Sequence, residues 1–342
     1  MYSFEQIMYP VWDSDVIYDE FLTMVRSNAV AEAPLLHTPE EVFSVTSADK
    51  TVEYEQGRDW QVIGNTFRLT ENSRIFAFAE DELIFNEAKP SESFPTVDGK
   101  YSLFHEGHFF HDRQICITYK RKREKQAFYV PYCGDQLPRM MKKLGAREEL
   151  KIVLYGDSIA EGANSSGRTL TTPFLPTWGY LFAENLRRHY QTKINFVNTS
   201  KGGTDSYWAV ENAEQRVAEH NPDVAIVAFG MNDRDNAEIF AENISEIRNI
   251  VRQTTPLTEF ILCATTVPNR RLKSFYKHQG EYRRTLMALQ ETGTAVADFY
   301  SMQKYLLDRK RFVDLTGNNV NHPNDFTIRC HAQLLSGLFI KS

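Results

Sequence analysis

No two of the four cysteines, Cys116, Cys133, Cys263 and Cys330, stand close enough in sequence to make a Cys-x-x-Cys pair. That excludes a dithiol redox motif and a zinc-knuckle spacing, and the four read as buried thiols kept reduced. Long apolar runs are also missing: no stretch approaches the roughly 18 residues a membrane helix needs. Positive charge is not in excess. Lys and Arg number 39 against 45 Asp and Glu, for a net charge of -6 and a pI near 5.9. Nucleic acid and anionic membranes are therefore poor partners. The opening residues, MYSFEQIMYPVWDSD, carry early acids where a secretory leader has a basic start and an apolar run. A cytoplasmic location is the expectation. No His-Glu-x-x-His pattern occurs to support a metalloenzyme; the chemistry read below calls for neither a metal nor an organic cofactor.

What is present is enough apolar material for two cores: 342 residues, 42% hydrophobic, with 23 Phe, 16 Tyr and 4 Trp. The first 145 residues carry short strand-like runs separated by Gly, Pro, Asn and Asp: EEVFSVT, DWQVIG, TFRLT, SRIFAFA, ELIF, YSLFHEGHFF, QICITYK and QAFYV. Their spacing predicts an antiparallel β-sandwich, an accessory domain over 1–145. KRKREK (120–125) reads as a charged hairpin tip or edge, and LPRMMKKLGAREEL (137–150) as a linker with a helical turn. From residue 150 the period changes. KIVLYG, KINFVN, DVAIVAFG, EFILCATT and TAVADF alternate with helix-like stretches at 178–190, 206–220, 237–254, about 277–291 and from about 327. This predicts an α/β domain over 150–342 built on a mostly parallel sheet, with its site beyond the strands' C-terminal ends.

Three strand ends and one late loop carry chemistry. The first strand runs into GDSIAEG, where Ser158 sits between strand and helix. The second runs into NTSKGGTDS, where Gly203 lets an oxygen approach its N–H. The third runs into GMNDRD, where Asn232 offers an amide donor. Donors at three strand ends suit a developing oxyanion. NNVNHPND supplies His322, an imidazole base for a serine at neutral pH.

In this order the four blocks resemble the SGNH hydrolases, the GDSL-like esterases and lipases, over about residues 150–342. The resemblance implies a flavodoxin-like αβα sandwich. It implies Ser158 as nucleophile, the N–H groups of Ser158 and Gly203 with the Asn232 amide as oxyanion hole, and His322 as base. The layout is similar to two-domain carbohydrate esterases with an N-terminal β-sandwich, jelly-roll-like here, and a Ser–His dyad. One position departs: the Asp expected three residues before the histidine is Asn319. The support of His322 stays open between a dyad ordered by Asn319 or a backbone carbonyl, Asp314, and Asp325. Asp157 reads as a holder of the serine loop.

The activity so implied is removal of small acyl groups, acetyl above all, from a carbohydrate or similar polar ester. Hydrolysis of longer acyl chains and a catalytically impaired carbohydrate-binding protein are the alternatives. The polar segment 164–179 is expected to line the leaving-group side, with Arg168, Trp178 and Trp208 as candidate sugar contacts, though packing in the hydrolase core is the favoured role for each tryptophan. His105, His108 and His111 alternate faces of a strand and suit a metal poorly. The N-terminal part is open between glycan binding, completion of the site wall and a homo-oligomer interface.

Overall fold

The computed structural model describes residues 3–122, 128–275 and 277–341. The first half contributes β1 (Val16–Thr23), β2 (Val25–Ser27), β3 (Val30–Pro34), β4 (Pro39–Ser47), β5 (Trp60–Ile63), β6 (Thr66–Leu69), β7 (Phe78–Ala79), β8 (Ile84–Phe85), β9 (Ser93–Pro95), β10 (Tyr101–Leu103) and β11 (Gln114–Arg121). They form three sheets in the orders β1-β11-β4, β5-β6-β3-β2-β7 and β8-β10-β9. The ladders are antiparallel except for β2 against β7. The second half contributes β12 (Leu150–Gly156), β13 (Ile194–Asn198), β14 (Val224–Ala228), β15 (Glu259–Ala264) and β16 (Thr294–Asp298), all parallel and ordered β13-β12-β14-β15-β16. The helices are α1 (Phe4–Met8), α2 (Glu80–Leu83), α3 (Pro138–Ala146), α4 (Ser158–Glu161), α5 (Trp178–Tyr190), α6 (Ser206–Arg216), α7 (Ala237–Thr254), α8 (Gln279–Ala288), α9 (Phe299–Leu307) and α10 (Asp325–Phe339).

The parallel sheet is buried on both faces, which is why its strands read as continuous apolar runs. Side chains alternate across it. Ile152, Leu154, Ile226, Ile261 and Cys263 face α5, α9 and α10, whereas Val153, Tyr155, Val227, Phe260 and Leu262 face α6, α7 and α8. The fold is thus an αβα sandwich preceded by antiparallel sheets. The first core does not stop at α10. Trp12, Ile17, Leu22, Ile117 and Tyr119 from the N-terminal sheets belong to the same apolar cluster as Phe326, Ile328 and Leu335. Accordingly α10 is buried almost all round, and Arg329 donates to the carbonyls of Tyr18 and Asp19 at 2.8 and 2.6 Å.

Several local readings need correction. Within 137–150, Pro138–Ala146 form a regular helix, α3, whose Met140 and Leu144 enter the core, and Leu150 already begins β12. The first N–H groups of α3, Arg139 and Met140, donate to the Glu259 carboxylate at 3.0 and 2.7 Å. Phe128–Val130 of the QAFYV run are not in a strand, and ELIF is half helix and half strand. In YSLFHEGHFF only Tyr101–Leu103 pair, so the histidines lie beyond the strand. Of KRKREK, Lys120 and Arg121 end β11, and 123–125 lie outside the described residues. All four cysteines are buried and free. Among the described residues no helix is long and apolar enough to cross a membrane.

His331 on α10 is sealed between Phe299, stacked at 4.4 Å, and Trp178. Neither ring nitrogen has a partner among the described residues, and burial pushes its pKa down to about 3. The unfolded chain therefore takes up this proton first as pH falls. The stability His331 contributes is complete above about pH 6.5 and is lost toward pH 3, roughly 3 kcal/mol of it by about pH 4. His331→Phe is expected to flatten the acid side of the stability–pH curve by that amount. Urea titrations from pH 7 to 4 would show it, and an unchanged slope would contradict it.

Candidate active site

In the sheet order, the chain leaves β12 for β13 on one side and returns to β14 on the other. The crevice of an open α/β sheet lies at such a reversal, beyond the carboxyl ends. Ser158 follows β12 and Asn232 follows β14. Gly156 permits the tight exit from β12: a Cβ there would stand 2.4 Å from the Ala228 carbonyl oxygen and 2.6 Å from Ala160 Cβ. Asp157 then caps the next helix, its carboxylate accepting from the Ile159 N–H at 2.9 Å. Burial raises the Asp157 pKa to about 7. The Ile159 N–H and the charge of His322 oppose that shift, and Asp233 adds to it. Ser158 is thereby held on a rigid step at the N-terminus of α4, only 8% exposed.

His322 arrives from a loop organised by the side chains of Thr316 and Asn318, the first donating to the His322 carbonyl at 2.9 Å and accepting from the Asn319 N–H at 3.0 Å. Asn318 Oδ1 accepts from the N–H groups of Val320, Asn321 and His322 at 2.9, 3.0 and 3.1 Å. Asn324 then caps α10 through the Thr327 N–H. The ring so placed sets Nε2 2.9 Å from Ser158 Oγ and Nδ1 2.7 Å from Asn164 Oδ1. The Asn164 amide can face only this way, because its Nδ2 donates to the carbonyls of Gly107 and Gly317 at 2.8 and 3.3 Å. An acceptor at Nδ1 places the ring proton there and leaves Nε2 as an acceptor toward the serine hydroxyl. Glu106 Oε2 lies 3.2 Å from the same Nδ1. Burial disfavours the Glu106 carboxylate, but His322 and the Asn318 and Asn164 amides outweigh it and hold its pKa below the usual carboxylate range.

The expected oxyanion donors lie at the start of α4 and in the loops that follow β13 and β14. Gly203 is at φ +76°, with open space on the side where a Cβ would point. Among the described residues neither its N–H nor that of Ser158 has an internal acceptor. Asn232 Nδ2 spends one hydrogen on the Thr204 carbonyl at 2.9 Å, which fixes the amide and leaves the second.

Residues 154–326, just over half of the chain, match the GDSL-like lipase/acylhydrolase family. The chain belongs to this family. No curated protein matches it. Among solved structures, a two-domain esterase active on acetylated mannans, co-crystallised with mannopentaose, is 22% identical. The likeness covers 61% of this chain and 54% of that one, with a TM-score of 0.50. An acetylxylan esterase from Geobacillus stearothermophilus, Axe2, is 17% identical over 54% of this chain and 91% of its own, with a TM-score of 0.45. The chain therefore spans about half the length of the two-domain esterase, and that likeness is one of fold.

The candidates weighed for supporting His322 lie elsewhere. Asn319 Nδ2 donates to Ser102 Oγ and the Leu103 carbonyl at 3.1 and 3.0 Å, away from the ring. Asp314 is salt-bridged to Arg311 and accepts from the Thr23 N–H at 2.9 Å, tying β1 to the second half. Asp325 accepts from the Ser166 N–H at 2.8 Å and positions the loop after α4. The groups that do reach Nδ1 are Asn164 and Glu106; Asn164 lies in the polar segment after the serine, but nothing in its spelling distinguishes it. Glu106 is 216 residues from His322, beyond the reach of any local pattern.

Of the candidate sugar contacts, Trp178 is fully buried and its Nε1 donates to the Ile159 carbonyl at 2.9 Å, so it is core. Trp208 is half-buried between the cations of Lys201 and Arg216. Arg168 is exposed and paired with Glu161, at the rim of a cleft of about 440 Å³ that Phe174, Tyr180, Asn198 and Ser200 also line. The three histidines part company. His105 stacks on Phe109, His108 pairs with Asp112, and His111 bonds the Thr172 carbonyl at 2.8 Å. Among the described residues no cluster could hold a metal ion.

Proposed function

We propose that this protein is a serine esterase that removes small acyl groups, acetyl above all, from a carbohydrate or similarly polar substrate. The observation that carries the reading is the file Ser158 Oγ, His322 Nε2, His322 Nδ1, Asn164 Oδ1, with contacts of 2.9 and 2.7 Å. His322 takes the Ser158 proton as Oγ bonds to the ester carbonyl carbon. The N–H groups of Ser158 and Gly203 and the Asn232 amide hold the resulting oxyanion. His322 returns the proton to the departing alkoxide, leaving an acyl-serine. Water then adds with its proton going to His322, and the acid leaves as Ser158 is reprotonated. A neutral amide, not an aspartate three residues upstream, accepts from Nδ1.

Support for a polar leaving group comes from the cleft beside α4, which the exposed Arg168 lines and where Tyr180, also exposed, offers a ring face. The fold shared with an esterase active on acetylated mannans agrees with it. Leu170 and Phe174, 81% and 56% exposed near the same cleft, favour the second reading, hydrolysis of longer acyl esters. Acetate release from a panel of acetylated mono- and oligosaccharides, beside p-nitrophenyl esters of two to twelve carbons, separates them. The proposal expects kcat/KM to fall as the acyl chain lengthens and at least one acetylated sugar to exceed p-nitrophenyl acetate. A maximum at eight carbons or more would move the assignment to a lipase-type substrate.

A further inference from the structure

The position where this family usually carries an aspartate holds Asn319, and its side chain is not idle. It donates to Ser102 and Leu103, the end of β10, whose following loop carries Glu106. Two further asparagines grip that loop. Asn318 Nδ2 donates to Glu106 Oε1 at 3.2 Å, and Asn164 Nδ2 donates to the Gly107 carbonyl at 2.8 Å. A segment of the N-terminal half is thus tied at three points to the histidine and serine loops. The tie delivers a carboxylate, half-exposed, to the outer side of the His322 ring.

We infer that Glu106 is a positioning residue that supplies the negative charge behind His322, the part an aspartate of the histidine's own loop would otherwise play. The work is divided between two groups. Asn164, closer and neutral, fixes the tautomer. Glu106 stabilises the imidazolium that forms when the serine proton is taken. The N-terminal half accordingly completes the machinery instead of only adjoining it. This inference rests on the esterase reading. Asp157, buried beside the nucleophile in the chain, also interacts with the His322 charge.

The test is Glu106→Gln, an isosteric change at a half-exposed site, measured as kcat and KM on p-nitrophenyl acetate across pH 5 to 9. Because Asn164 still holds the tautomer, the expected loss in kcat is roughly ten- to hundred-fold with KM nearly unchanged, less than when a triad acid is the sole orienter. The acid limb of the pH–rate profile should move down by about half to one unit, since the imidazolium has lost a partly solvated counter-charge. Asp157 is the same in both proteins, so the difference belongs to Glu106. Glu106→Ala should lose at least as much and recover in part with added formate, which a merely structural role would not allow. An unchanged kcat and acid limb in Glu106→Gln, in a parent whose turnover depends on Ser158, would overturn the role of Glu106 alone. A folded parent with no Ser158-dependent turnover would overturn the esterase reading, and this inference with it.

Discussion

Replacing His322 by alanine should lower kcat on any ester the protein hydrolyses by roughly ten-thousand-fold, and Ser158→Ala should cost about as much. The double variant should lose little more than either single one. This non-additivity follows from the geometry, since Nε2 has no acid–base task without Oγ at 2.9 Å, and Oγ has no base without Nε2. The residual rate should come from the oxyanion donors, which neither substitution removes. Ser158→Ala should leave the melting temperature close to that of the parent, whereas His322→Ala removes the partner of the buried Asn164 Oδ1 and should lower it modestly without unfolding the protein. The check is kcat on p-nitrophenyl acetate for the four proteins. Losses that simply multiply would mean the two residues act apart.

The second large effect is on stability. Lys310, just after α9, and Glu20, on β1, form an ion pair with both side chains fully buried. Glu20 also accepts from the Leu36 N–H at 2.9 Å and the Tyr119 hydroxyl at 2.7 Å, and Lys310 reaches the Pro34 carbonyl at 3.2 Å. Lys310→Met leaves a carboxylate buried without its counter-ion and should cost about 3–5 kcal/mol. In Glu20→Gln/Lys310→Met no charge remains, and an amide oxygen can still accept from Leu36. That double variant should recover much of the loss. Denaturant unfolding of the parent, both singles and the double gives the coupling. A double variant less stable than Lys310→Met would show that the carboxylate is needed for its hydrogen bonds more than for its charge. Because the pair joins β1 to the second half, loss of cooperativity between the halves is a second readout.

The places of Ser158, Gly203, Asn232 and His322 in the fold are legible in the sequence, because each follows a strand or precedes a helix whose apolar period announces it. Helices α5 and α7 begin and end where the pattern says, since their apolar stripes meet a sheet face. What escaped is non-local. β1 reads VIYDEFLT, and its acids broke the apolar pattern; Glu20 is buried only because Lys310, 290 residues away, neutralises it. Trp178 reads from the sequence as core with sugar contact as the alternative, and the choice needs α9 and α10, which close over it. The missing aspartate was visible as Asn319, but its replacement was not. The Glu106 loop reaches His322 only after the antiparallel sheets have packed on α10.

The most direct test of the central claim is covalent. The protein would be treated with a fluorophosphonate, digested, and the modified residue read by mass spectrometry, with Ser158→Ala and His322→Ala alongside. A single phosphonyl group on Ser158 in the parent, absent from Ser158→Ala and much slowed in His322→Ala, is the predicted result. A folded parent that takes no label at Ser158, or takes it at another serine, would contradict the account.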